Sequence, residues 1–154
     1  MKVRLADKKD IEMIVKLADK WHPFSEEENK RRLKTLGKTL NWEGHKVFVA
    51  EDNGEVVGWF DVREYKDWFM LRRSVHIEHI FSKYERRGIG SKILQAIIEY
   101  YKDADDMNTV FFYSEGGVDR FFVKNGFHYH TGVHFFIRKI YKRRSQKYIE
   151  ADIT

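Results

Sequence analysis

The sequence predicts a mixed α/β domain: one central sheet flanked by about four helices. Three observations predict it. The hydrophobic pattern runs strand, two helices, a meander of strands, helix, strand, helix and two closing strands. The chain has 154 residues, 42% of them hydrophobic and 16% aromatic, enough apolar side chain for one packed core. Finally, the alternating run 75–81 leads through Gly88 and Gly90 into a helical stripe of Ile89, Ile93, Leu94, Ile97, Ile98 and Tyr101, which marks a strand-to-helix junction.

The elements come in this order. Val3 and Leu5 alternate with Lys2 and Arg4 as a first strand. Asp7 or Asp10 caps a helix whose apolar stripe is Ile11, Ile14, Val15, Ala18 and Trp21, broken by His22, Pro23 and Phe24. Ser25 with Glu28 is a capping box that opens a second helix, expected to run to Leu36 and stop at Gly37. Residues 47–49 read as a strand, Asp52, Asn53, Gly54 and Glu55 as a hairpin turn, and 56–65 as the returning strand. Lys66, Asp67 and Trp68 read as a loop, and 72–81 as the strand that feeds the glycines. A polar connection at 103–108 precedes a strand at 109–113, a short helix at 118–125 ended by Gly126, and strands at 127–130 and 133–141. The domain is expected to span 1–141, with 142–154 as a charged tail that is basic and then acidic.

Composition narrows the function. There is no cysteine, which excludes a disulfide framework and a thiol nucleophile. No apolar run is long enough to span a membrane, and the first ten residues lack the apolar core of a signal peptide, so the cytoplasm is the expected location. The net charge of +5 suits a polyanionic ligand. Nucleic acid is set aside, because no nucleic-acid motif accompanies the charge and scattered basic residues read as a solvated face.

The junction itself carries chemistry. The first backbone N–H groups of a helix have no intrahelical partner and favour an anion. Arg86 and Arg87 add positive charge, and Gly88 and Gly90 leave the backbone open, so the segment is built as a pyrophosphate cradle. It is not a triphosphate loop, because no Gly-Lys-Ser/Thr follows, and it is not the dinucleotide fingerprint, whose third glycine would fall at Ile93.

The run YERRGIGSKIL resembles motif A of the GNAT acetyltransferases (the Gcn5-related superfamily), and FFVKNGF at 121–127 resembles that family's F-Y-x-K-x-G-F segment. Order and separation also match, and the pattern of elements extends the resemblance over nearly the whole chain. The resemblance implies a mostly antiparallel mixed sheet whose two middle strands splay apart around the co-substrate acetyl-CoA. It implies that the backbone of Glu78, His79 and Ile80 pairs with the pantetheine arm, and that Arg86, Arg87, Gly88, Ile89, Gly90 and Ser91 hold the pyrophosphate. The implied reaction is transfer of acetyl to a primary amine by direct attack on the thioester. That reaction needs a group to take the amine's proton, a donor for the leaving thiolate and N–H groups for the oxyanion.

Three positions depart from the family pattern. Glu85 stands where Gln or Arg opens the motif, Phe122 where a thiolate-protonating Tyr is usual, and Glu115 where an Asn often precedes the last helix. The catalytic candidates are therefore Glu78, as base or as attractor of a cationic acceptor, Tyr113 as thiol-side donor, and Glu115 as a second base. For Glu78 the structural alternative is a partner of Arg72 or Arg73, for Tyr113 a core aromatic, and for Glu115 a helix N-terminal charge. Trp21, His22 and Phe24 fall in the loop that lines the acceptor side in GNAT folds, or form a hydrophobic plug. His76 and Glu78 have the i, i+2 spacing of two ligands on one face, but a third would have to come from another strand, and no metal is expected. Phe122 also motivates a second reading, a catalytically impaired CoA-binding regulatory protein. The acceptor stays open among small-molecule and peptide amines, as does a homodimer.

Overall fold

Asp7 opens the chain's first turn by accepting the backbone N–H of Lys9, while Asp10 accepts that of Asp7. This capping box turns β1 (Lys2–Leu5) through a short 3-10 turn into α1 (Ile11–Trp21). The same Asp10 carboxylate is buried and held by both terminal nitrogens of Arg4, at 2.7 and 2.9 Å. The second expected capping box is also present: Ser25 and Glu28 exchange hydrogen bonds at the start of α2 (Glu26–Thr39). The computed structural model describes residues 1–114 and 117–130.

Gly37 does not stop α2. A side chain there would meet only Ile11 Cδ1, at 3.7 Å, so the glycine lies against α1, and Leu36 and Leu40 pack on the core beneath. That burial carries the helix past Gly37 to Thr39. Three strands follow, β2 (His45–Asp52), β3 (Glu55–Asp67) and β4 (Arg72–Ser82), so Lys66 and Asp67 belong to a strand rather than a loop. Asn53 and Gly54, at φ 50° and 78°, make the expected turn between β2 and β3. Next come α3 (Ile89–Tyr101), β5 (Met107–Phe111) and α4 (Asp119–Lys124). β5 begins and ends two residues earlier than expected, and α4 is trimmed by one residue at each end. Residues 127–130, expected as a strand, carry no ladder among the described residues. The strand at 133–141, the domain limit at 141 and the tail lie outside those residues.

The sheet order is β1-β2-β3-β4-β5, antiparallel throughout except for the parallel β4–β5 pair. This is the mixed, mostly antiparallel α/β sheet that the sequence predicts. β5 pairs with β4 only from Arg73 to His76, while β4 runs on to Ser82. β5 ends at Phe111, opposite His76, so beyond His76 β4 has no described strand on that side.

Helices cover both faces. Ile89, Ile93, Leu94, Ile97 and Phe122 of α3 and α4 pack on Phe60, Val62, Val75 and Ile77. On the other face Ile14 and Leu17 of α1 pack on Val47, Val49, Val56 and Trp59. Gly58 lets α3 come close to the sheet. A side chain there would lie 2.8 Å from Ile89 Cγ2, 2.9 Å from the Phe81 carbonyl and 3.2 Å from Ile93 Cδ1. Gly58→Ala is therefore expected to push the first turn of α3 off the sheet and to cost about 1–3 kcal/mol. Urea unfolding of both proteins measures it, and an unchanged midpoint would show that α3 gives way freely.

Candidate active site

Loop residues 83–88 join β4 to α3. Gly88 is the N-cap of α3 at φ 72°, a left-handed conformation that glycine adopts without a steric penalty. Among the described residues nothing lies within 4 Å of the position a side chain would take. No side chain caps the helix and no acidic residue occupies its first turn. The opening N–H groups of this 13-residue helix thus face an uncrowded surface. Arg86 is also left-handed, at φ 59°, and the Arg87 guanidinium lies over the Tyr84 ring, 4.7 Å from its centre. Lys83 is tied to Glu55, and Ser91 Oγ accepts the side-chain amide of Asn125 at 3.2 Å. Gly90 meets a packing constraint, since a side chain there would come within 3.2 Å of the Phe121 ring. These features leave room for an anion, and past His76 no described strand pairs with β4 on this side.

The edge of β4 is shaped by a bulge. Asp61 of β3 pairs with His79, but the next residue, Val62, pairs with Ile77, so Glu78 is an extra residue. The bulge reverses the facing of the strand beyond it. Val75 and Ile77 face α3, whereas after Glu78 it is Ile80 that faces α3 and Phe81 that faces α1. His79 therefore turns to the α1/α2 face rather than into the core beneath α3.

On that face three side chains form a chain across the sheet. His79 Nδ1 and Asp61 Oδ1 are 2.9 Å apart, and Asp61 Oδ2 and His45 Nε2 are 3.1 Å apart. Burial pushes the Asp61 carboxyl up, but the His45 and His79 hydrogen bonds outweigh it and hold the group below the usual carboxylate range. The hydrogen bond to Asp61 raises His79 above the ordinary imidazole value, against the pull of burial. Glu78 lies beside them, 3.3 Å from Arg63 Nε and 3.9 Å from His76 Nδ1. Its partner is thus Arg63. Arg72 pairs with Asp67, and Arg73 with Glu64 and Asp106.

His76 stacks flat on Phe111 with ring centres 4.8 Å apart, and burial lowers its basicity. Tyr113 is edge-on to both rings, at 5.2 and 5.5 Å, and largely exposed. It is an exposed aromatic two residues beyond β5 rather than a core one. Glu115 lies outside the described residues. Trp21 and Phe24 are exposed, with Arg32 over the Phe24 ring at 3.7 Å, so the loop between α1 and α2 is no plug. Phe122 is buried and stacked 4.4 Å from Phe112, where a hydroxyl would have no open surface.

His45, Asp61 and Glu78 each offer a ligand atom within 4.8 Å of the others. The set already has partners, since both Asp61 oxygens meet imidazoles and Glu78 meets Arg63. Sequence reasoning missed Asp61 and His45. The available signal was a lone carboxylate within the apolar run VVGWFDV, where burial demands a hydrogen-bonded partner. A separate cavity of about 690 Å³ lies toward the other end of β4, lined by Lys46, Glu64, Arg73 and Tyr101 among others. Its charges are bonded to one another, with Lys46, Arg73 and Tyr101 all reaching Glu64.

Among the described residues no helix is long and apolar enough to cross a membrane. No curated protein matches the chain in sequence. Solved structures do match in fold. An aminoglycoside acetyltransferase from an uncultured soil metagenomic sample, in complex with sisomicin, has TM-score 0.71 and 20% identity, covering 90% of this chain and 96% of its own. An aminoglycoside N-acetyltransferase in complex with CoA has TM-score 0.74 and 16% identity, covering 90% and 95%. Ribosomal-protein-alanine N-acetyltransferase from Brucella melitensis biovar Abortus 2308 has TM-score 0.71 and 12% identity, covering 90% and 100%. The model of the acetyltransferase (GNAT) family matches residues 11–127. The chain belongs to the GNAT acetyltransferase family.

Proposed function

We propose that this protein transfers an acetyl group from acetyl-CoA to a primary amine, with a cationic small molecule or peptide as the acceptor. The observation that carries the reading is the uncapped N-terminus of α3 behind Gly88, next to the stretch of β4 that no described strand pairs. Residues Arg86 to Ser91 would hold the pyrophosphate. The backbone of Glu78, His79 and Ile80 would hold the pantetheine arm along the edge of β4 beyond His76. Acetyl-CoA supplies the activated acyl group. The chain's task is to orient it, to free the amine of its proton and to receive the leaving thiolate.

The acceptor side is the α1/α2 face. There the carboxylates of Asp61 and Glu78 outnumber the one guanidinium beside them, Arg63, in a chain whose net charge is +5. A local negative surplus on a basic protein favours an ammonium ligand. The aromatic rings of Tyr65, His76, Phe111 and Tyr113 lie in series beside it and suit the apolar part of an amine. In this reading Glu78 draws the ammonium in, and the Tyr113 hydroxyl is the donor to the thiolate. Two of the neighbours in fold are aminoglycoside acetyltransferases by name, so aminoglycosides belong among the amines tested.

The test is release of CoA thiol by the purified protein with a panel of cationic and neutral amines. Glu78→Gln is expected to raise KM for the best cationic amine about tenfold, the equivalent of ~1.4 kcal/mol, with a smaller change for a neutral amine. Equal KM values for both proteins would remove Glu78 from acceptor binding. No release with any amine, from a protein that binds acetyl-CoA, would favour the regulatory reading instead.

A further inference from the structure

We infer that His79 takes the proton from the acceptor amine and that Asp61, clamped from behind by His45, positions it for that role. The inference rests on the acetyl-transfer reading above and names the proton acceptor of that same site.

Geometry is the first support. The bulge at Glu78 moves His79 out of the core register and onto the acceptor face. Its side chain is 57% exposed, whereas those of Asp61 and His45 are 13% and 9% exposed. The three run from the interior to the surface, with the outermost ring presented to solvent on the α1/α2 face.

The hydrogen bonds fix the chemistry of that ring. An ionised carboxylate only accepts, so both imidazole nitrogens facing Asp61 carry protons. His79 is therefore Nδ1–H toward Asp61, which leaves the Nε2 lone pair for a substrate proton. His45 is Nε2–H toward the other oxygen, and its Nδ1 is buried without a partner. His45 thus donates to Asp61 and stops that carboxylate from rotating away. The other groups near this ring are Glu78 and His76 on β4 and Arg63 and Trp59 on β3. Glu78 and Arg63 meet each other, His76 is stacked on Phe111, and the Trp59 ring centre is 6.4 Å from that of His79. Asp61 also strengthens His79 as a base.

Atoms and charge balance in the step. The acceptor ammonium gives one proton to His79 Nε2, and the neutral amine attacks the acetyl carbonyl. The C–N bond forms and the thioester C–S bond breaks. The Tyr113 hydroxyl protonates the departing thiolate and is restored by the nitrogen's second proton, and His79 returns its proton to solvent.

Three variants and one spectrum test this. His79→Gln is expected to lower turnover about 100-fold, within the range of a lost general base, while calorimetric acetyl-CoA affinity stays within about twofold of the parent. His79→Ala is expected to recover activity with added imidazole. Asp61→Asn removes the charge that raises His79, so the acidic limb of its pH–rate profile is expected to move to lower pH with a reduced plateau. Independently of activity, nitrogen-15 NMR of the imidazoles is expected to show His79 as the Nδ1–H form in the parent. A His79→Gln protein with the parent's rate and pH profile, or a His79 ring found as Nε2–H, would overturn the assignment. A parent that binds acetyl-CoA and acetylates no amine would instead overturn the transferase reading on which it rests.

Discussion

Gly88→Asp is expected to fold and to lose CoA affinity by a factor of at least about 100 in calorimetric titration. Gly88 is the N-cap of α3, a position where aspartate is among the preferred residues. Its carboxylate would accept the first-turn N–H groups that are now uncapped, so the helix keeps its stability while its donors are taken. The same charge would also repel a pyrophosphate. The cost of placing a side chain at φ 72° is about 1–2 kcal/mol, a modest part of a domain's stability. Gly88→Ala separates the two effects, because it carries the strain without the competing carboxylate, and it is expected to weaken CoA far less. Equal affinity in the Asp variant and the parent would mean that the phosphates bind elsewhere.

Arg4→Ala is expected to cost about 3–5 kcal/mol, because it leaves a buried carboxylate without its counter-ion. Asp10 is 3% exposed, and without Arg4 its one remaining hydrogen bond among the described residues is the 2.8 Å contact from Asp7 N. In the parent, burial raises the Asp10 carboxyl, but Arg4 and the Asp7 N–H outweigh it and the group sits below its ordinary value. A depressed carboxyl contributes stability that is fully present above the unfolded value of about 3.9, and that is lost as pH falls through the lower folded value. The gap between parent and Arg4→Ala should therefore be widest near neutrality and close on acidification below about pH 4. Denaturant unfolding at several pH values measures it. A gap that does not change with pH would mean the loss is one of packing rather than of charge pairing.

Much of this fold is legible in the sequence because it rests on local rules. The capping boxes at Asp7 and Ser25, the turn at Asn53 and Gly54, and the junction at Gly88 each come from a residue type and a short spacing. The features that stay hidden depend on residues distant in the chain. Gly37 reads as a stop in isolation, but packing of Leu36 and Leu40 on the β2–β3 core carries α2 past it. The bulge at Glu78 does leave a mark, the adjacent polar pair Glu78–His79 where the alternation of Val75 and Ile77 shifts phase, but reading 75–81 as one alternating run passes over it, and it decides that His79 faces the α1/α2 side. Nearness in the chain offers Glu78 the arginines at 72 and 73, whereas the antiparallel β3–β4 register brings Arg63 to it across the sheet. Asp61 and His45 meet only through the β2–β3 pairing, in which Val47 stands opposite Asp61. Periodicity finds faces, and register decides which polar residues on a face can touch.

The central claim is that the acyl group passes from the thioester to nitrogen. The most direct measurement is to incubate the protein with acetyl-CoA labelled in the acetyl group and the best amine of the panel, and to find the label by mass spectrometry. The account predicts the label in an amide of the amine, formed in equal amount with free CoA. Label recovered as free acetate, or left on CoA while the amine stays unmodified, would contradict it.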